Sequence, residues 1–502
     1  MKRTVAGMYV VAMLALAAPA AASAPDAPDS LRVKAALGGS PTGPRGTDSA
    51  GAPRPLSPSA TIGWAGVRDP ATAPPDTVGA VGETRFVGLV NRKFAIYDKA
   101  STDPIRTGTL NEFAGVPATN STTHPQIIWD PQTSRFYYLM LTIPVTDPPN
   151  DDNRLAFGFS TTASPNGADD FCHYQIAGYE DQQVPDLPKL GDSRYFLLMT
   201  VSAFHPDFGY IRGDSVAVTK PPSGSTCPDP ASFGITFVPD LLNPDLTQTY
   251  TAVPANSVDT ADAGWMIATP NSRPASSFTL FKVSRNPDGT ANIQNPGTSR
   301  RVPSYDVPAD APQKNSSNLL DTLDGRLTQA VSAIDPSHGG KQALWTQHTV
   351  AGGAGAEVRW YELNLSGSGI FQSGEVTSPS TFNFNGAISP DRAVSGASAQ
   401  DGDGMVLGYS SSSPILLPKV RMVSKVGAAP QSPPVLAKAS TTFYSGPDCA
   451  GGLCSWGGYS GASPDPTPTG DSPQVWLTNE FAFTPSPPSA AGWKPWNWIA
   501  VP

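Results

Sequence analysis

The chain reads as all-β, a single β-propeller of about seven four-stranded blades. Three observations predict this. One strand–turn–strand signature recurs from residue 76 to the C-terminal region. Pro and Gly, 54 and 47 residues, are too frequent for many long helices, because proline breaks helix interiors. The strand Phe-Tyr-Tyr-Leu-Met-Leu-Thr at 136–142 is apolar on both faces, as a sheet stacked between two others requires.

In chain order, Lys2 and Arg3 precede an apolar run from Val5 to Ala18, and Ala20–Ala22 supply the small residues before a cleavage point. That pattern predicts a secretory signal peptide over 1–22 rather than a membrane span. Residues 23–60 are rich in Ala, Pro, Gly and Ser without apolar periodicity, which predicts a flexible leader. The propeller domain is expected over 61–502.

The repeat opens with a short strand, turns at Asp-Pro or another Asp/Gly pair, and continues in a strand rich in aromatic and β-branched residues. Copies stand at 124–142, 188–202, 329–347 and 457–480, with weaker ones near 76, 250 and 385. Short strands at regular intervals with turn signals predict an all-β fold, and four strands per unit predict a propeller. The outer strands are expected to alternate in polarity, as Phe157–Ser160 and Val358–Leu363 do.

Net charge is −9, with charged residues at 15% and no Lys/Arg cluster. Nucleic acid and anionic membranes are therefore poor partners. No later stretch is long and apolar enough to span a bilayer, and an exported monomer is expected. Four cysteines in an exported chain predict two disulfides. Cys449 and Cys454 enclose four residues and should form a local clasp, leaving Cys172 to pair with Cys227. No CxxC pairs indicate zinc.

Val358–Leu363, Ala387–Asp391, Met405–Ser413 and Trp456–Pro466, with Pro75–Gly82 and Phe94–Asp98, resemble a group of secreted bacterial propellers of sialidase-like architecture. The resemblance implies the fold and leaves the chemistry open. Relatives often carry Asp where this chain has Gly458. The repeated S-x-D-x-G-x-T-W turn of true sialidases is missing, the nearest stretch being Ser284–Thr290, so sialidase activity is not expected.

Seven strand starts should converge on the mouth of one central channel. Asp76, His124, Lys189, Gln329, Asn385, Trp456 and Tyr459 are thus the candidate ligand-binding residues. Trp456, Tyr459, Trp493, Trp496 and Trp498 could present rings to sugars, although packing between blades is the commoner use of such residues. Asp130, Asp192, Asp335 and Asp465 recur at one repeat position, three of them before Pro, and are read as turn residues. His338 is expected to be solvated. Asp401-Gly-Asp-Gly404 resembles a calcium-loop fragment without the remaining ligands, so no cofactor or metal is assigned. Absent hydrolase, P-loop and zinc-helix motifs favour a binding or adhesion module for glycan, cell wall or protein. The alternative is an extracellular glycoside hydrolase or polysaccharide lyase.

Overall fold

A computed structural model describes residues 57–502 except 144–152, 180–182, 206, 208, 223, 396–397, 471 and 486–491. The signal peptide and most of the leader lie outside the described residues. Seven antiparallel blades follow one another around a central channel. Their innermost strands are Val78–Val81, Ser121–Asp130, Val184–Asp192, Thr249–Pro254, Leu327–Asp335, Phe382–Pro390 and Gly461–Pro464. Each begins within a few residues of a repeat start expected from the sequence. Blade four carries two outer strands, Ala291–Ile293 and Thr298–Tyr305, against Ala275–Arg285. Blade five gains a short parallel strand, Asn256–Ser257.

The ring closes through a shared sheet. Ser59–Ala65 pairs antiparallel with Trp493–Val501, so the first strand of the domain completes the last blade. Closure leaves no terminal blade with an open face, and it pairs strand edges that would otherwise invite association.

Period-two alternation explains how fully apolar strands are used. Along Arg135–Ile143, Phe136, Tyr138 and Met140 join a cluster with blade one, whereas Tyr137, Leu139 and Leu141 join a cluster with blade three. The same division recurs at every seam. Leu198 meets Met266 and Phe281 between blades three and four. Trp345 and Trp360 meet Met405 and Leu407 between five and six. At the closing seam Trp64 meets Phe86, Tyr97 and Trp476, with ring centroids 5.6–5.8 Å apart. Both strands expected to alternate are third strands, and Phe157–Ser160 and Val358–Leu363 are buried on both faces apart from Arg359. Alternation is clear at fourth strands such as Thr298–Tyr305 and along part of the third strand Leu416–Val426, where one side meets solvent.

The recurrent aspartates close innermost strands on one face of the ring, and they do more than turn the chain. Asp130 and Asp192 share the Lys220 ammonium, each at 2.7 Å. Asp465 accepts from Lys99 at 2.5 Å and from the Trp476 indole at 2.8 Å. These carboxylates are fully buried, and the cations hold blade to blade where burial of an unpaired charge would be prohibitive. Cys172–Cys227 ties blade two to a loop of blade three, and Cys449–Cys454 clasps the approach to blade seven. No helix among the described residues is long and apolar enough to cross a membrane.

Because Trp64 anchors the closing strand in a pocket from two blades, Trp64→Ala is expected to lower the unfolding free energy by about 3–5 kcal/mol. Urea denaturation followed by tryptophan fluorescence measures this; a loss under about 1 kcal/mol would mean that the seam closes without that ring.

Candidate functional site

The innermost strands share a local irregularity that builds the channel mouth. Asp76, His124, Leu187, Thr251 and Asn385 have positive φ, between 45° and 54°; the last four lie within the register shifts of blades two, three, four and six, and Asp76 stands just before the innermost strand of blade one. Asp, Asn and His tolerate this left-handed region better than most residues, whereas a β-branched Thr there is strained. The bulge turns each strand into the channel, as bulges re-aim side chains near functional sites. Two residues further on, Gln126, Lys189 and Val253 line the channel, with Gln329 beside them. The expected site residues therefore fall into two sets. Asp76, His124 and Asn385 stand at the left-handed turns, and Lys189 and Gln329 line the wall.

Asp76 is buried and fixed from two sides. It accepts from Asn91 Nδ2 at 2.9 Å and from the Gly458 amide at 3.1 Å. Asn91 Oδ1 in turn takes the His124 amide and the Thr123 hydroxyl, both at 2.9 Å. One asparagine thus positions an acid on blade one and a histidine on blade two. The His124 imidazole lies between two carboxylates, with Nε2 3.7 Å from Asp76 and 3.3 Å from Asp186. Its Nδ1 is buried and has no hydrogen-bond partner among the described residues. The Tyr459 ring meets the imidazole edge-on at 5.8 Å.

Lys189 is buried with its ammonium 3.8 Å from the centroid of the Tyr459 ring, a cation–π contact. Burial pushes its pKa down to about 7; Arg326 adds to the fall, and Asp76 and Asp186 oppose it. Arg326 is itself committed to Asp324 through two contacts of 2.8 Å. Behind the mouth, Glu480 is wholly buried and accepts from the Thr77 hydroxyl at 3.2 Å. Burial holds its carboxyl well above the usual range; the Thr77 bond opposes this and Asp76 reinforces it. Asp448 is half-buried beside the disulfide clasp and accepts from Tyr444 at 2.6 Å. Its pKa is also raised, chiefly by burial, with the charge of Asp76 contributing.

Two expected residues do not offer groups to a ligand in this arrangement. Trp456 is buried, with its indole N–H held by Ser410 at 3.0 Å and Tyr444 packed on its ring. Asn385 spends its amide N–H group on the Gly457 carbonyl at 2.9 Å. Trp493, Trp496 and Trp498 are buried between blades, so packing and not sugar contact uses their rings. Gln329 lines the channel but donates to the Ala462 carbonyl at 2.5 Å. His338 is half-buried and stacked on Phe371 rather than solvated. Asp401-Gly-Asp-Gly404 is a turn whose amides at 402 and 404 donate to Asp391 at 2.8 and 3.1 Å, and Arg392 donates to the Asp401 carbonyl.

Asn91, Asp186, Asp448 and Glu480 were not legible as site residues. The one available signal was register. Aligning blade three on its bulge, rather than on Pro188-Lys189, brings Asp186 beside the turn position held by His124. The departure at Gly458 also falls at this mouth: a Cβ there meets open space.

No protein-family profile matches the chain, and no curated protein matches it in sequence. Some solved structures align with it at low similarity. A phage phi92 endosialidase aligns at TM-score 0.39 and 9% identity over 86% of this chain and 68% of that one. A Penicillium chrysogenum α-L-arabinanase complexed with arabinobiose aligns at 0.38 and 13% over 71% and 94%. A mutant of the Synechocystis apocarotenoid oxygenase aligns at 0.39 and 10% over 72% and 71%. At these values no residue role or reaction transfers to this chain.

The depressed Lys189 pKa has a thermodynamic consequence. Between about 7 and the unfolded value near 10.4 the unfolded chain binds the extra proton, so this residue's destabilising effect shrinks as pH rises. Lys189→Met is expected to stabilise the protein at pH 6 by roughly 2–5 kcal/mol and by much less near pH 10. Paired denaturation curves of the two proteins across that range check the slope of the difference.

Proposed function

We propose that the chain is an extracellular carbohydrate-active enzyme that cleaves a glycan by acid–base catalysis at the channel mouth. The reading rests on one observation: a histidine nitrogen wedged between two carboxylates from different blades, beside a buried lysine and a protonation-prone acid. Repeated turn residues do not produce such a set. Asp76 and His124 share the repeated left-handed position, but Asp186, Lys189 and Asp448 have no counterpart in the other blades, and the shifted Lys189 and Asp448 are of the kind that marks functional sites.

The chemistry follows from the environments. Glycosidic cleavage needs one carboxyl that keeps its proton and one that is ionised. Asp448, whose pKa burial raises, is the group assigned to supply the proton to the leaving oxygen. Asp186 is the most accessible acid touching His124, with its side chain 21% exposed, and it acts with the imidazole as base or nucleophile. Asp76, buried and twice hydrogen-bonded, orients the imidazole without meeting substrate. The signal-peptide pattern and two disulfides support the extracellular setting.

The binding-module reading keeps one observation in its favour: Gln329 and Asn385 donate to backbone carbonyls, so parts of the mouth are built for rigidity. Incubating the purified chain with a polysaccharide panel separates the two. New reducing ends are expected from at least one polymer. Asp186→Asn and Asp448→Asn are each expected to lower kcat by about 10²-fold or more with little change in Tm. Saturable glycan binding with no product from any polymer would instead support the module, and absorbance from a new C=C bond would reassign the reaction to elimination.

A further inference from the structure

On the face opposite the mouth, blade five brings together a second set of chemistry-bearing side chains. Asp335 ends the innermost strand and caps the short turn Pro336–His338. Glu362 comes from the third strand of the same blade, Glu357–Asn364. One ligand atom from each of Asp335, His338 and Glu362 lies within 4.8 Å of the others. We infer that these three residues form a binding site for a divalent first-row metal of the zinc class.

The geometry of the donors carries the inference. His338 Nδ1 points at both carboxylates, touching Asp335 Oδ2 and standing 3.7 Å from Glu362 Oε1. Metal–ligand bonds of about 2.0–2.2 Å in a tetrahedral shell put neighbouring ligand atoms roughly 3.3–3.6 Å apart; Glu362 and His338 already stand near that spacing, and His338 and Asp335, now hydrogen-bonded, would part to admit the ion. Glu362 is wholly buried, and its Oε1, which faces this cluster, has no hydrogen-bond partner among the described residues. Its Oε2 is fixed by the Gln372 side chain at 2.7 Å. A buried carboxylate oxygen aimed at a second carboxylate is costly unless a cation lies between them.

Supporting contacts orient each donor, as outer contacts do in metal sites. The His338 ring stacks on Phe371 with centroids 4.2 Å apart. Asp335 accepts from the Ser337 amide at 2.6 Å and its hydroxyl at 2.7 Å. One imidazole and two carboxylates suit zinc or manganese, whereas calcium demands six to eight oxygens that this corner does not supply. Three protein ligands leave a position for water, and the half-exposed His338 gives the ion a route in.

The test uses the full chain, freed of metal with a chelator. Zn²⁺ is titrated calorimetrically, and Co²⁺ serves as a visible-absorption probe of tetrahedral coordination. The wild type is expected to bind one equivalent and to show cobalt bands. Glu362→Gln keeps the size of the side chain and an acceptor for Gln372, and should weaken binding at least about tenfold. His338→Ala should abolish the bands. Zn²⁺ should raise the Tm of the wild type and not of the variants. If the wild type takes up no metal saturably, a shared proton is the cation between the two acids and the assignment falls. It falls equally if both variants bind Zn²⁺ as tightly as the wild type.

Discussion

Everything in this protein depends on each blade having both faces covered. A four-stranded sheet with one bare apolar face would expose far more hydrocarbon than a soluble surface carries. Here every blade hides one row of alternate side chains against the preceding blade and the other row against the next. That arrangement is satisfied everywhere only if the ring closes, and the strand Ser59–Ala65 closes it by completing the blade to which Trp493–Val501 belongs. Trp64 sits at that junction among Phe86, Tyr97 and Trp476. The N-terminal strand is therefore part of the last blade's core.

Closure fixes where function can sit. Seven innermost strands run in one direction along the channel, so their starts crowd one mouth and their ends crowd the opposite face. The two ends solve the crowding differently. At the strand ends, buried aspartates are neutralised by cations that cross seams, as Lys220 does for Asp130 and Asp192. At the strand starts, left-handed residues and bulges take up the convergence, and the side chains there are held by hydrogen bonds to neighbouring blades. Asn91 is the clearest case, since it fastens the Asp76 carboxylate and the His124 backbone at once. A catalytic array needs this fixity, because misplacement of about 1 Å costs heavily in rate.

Low dielectric inside the ring then separates the behaviour of like groups. Lys220, between two carboxylates, has its pKa raised despite burial. Lys189, buried and near Arg326, is pushed down to about 7. Glu480 and Asp448 are raised. The two lysines are thus pushed in opposite directions according to their partners rather than their identity.

The blade count, the positions of the innermost strands and both disulfides were readable in the linear order of residues. Each depends on local signals: Asp-Pro turns, continuous apolar strands such as 136–142, and a clasp enclosing four residues. The repeat brought His124 and Lys189 to the same end of their innermost strands, although the bulges put Lys189 two residues beyond the turn position that His124 holds. The partners were not readable. Asp186 precedes a left-handed leucine that no propensity marks, Asn91 lies in a turn of blade one, and the burial of Trp456 depends on Ser410 and Tyr444 from other parts of the chain. His338 read as a solvated turn residue because Phe371 and Glu362 reach it only across the blade. The sequence by itself determined the periodic sheet architecture, since period-two patterning and turn chemistry act between near neighbours. Only the tertiary structure decided which acids, amides and rings meet, because those contacts join residues from different strands and blades and exist only once the ring has closed.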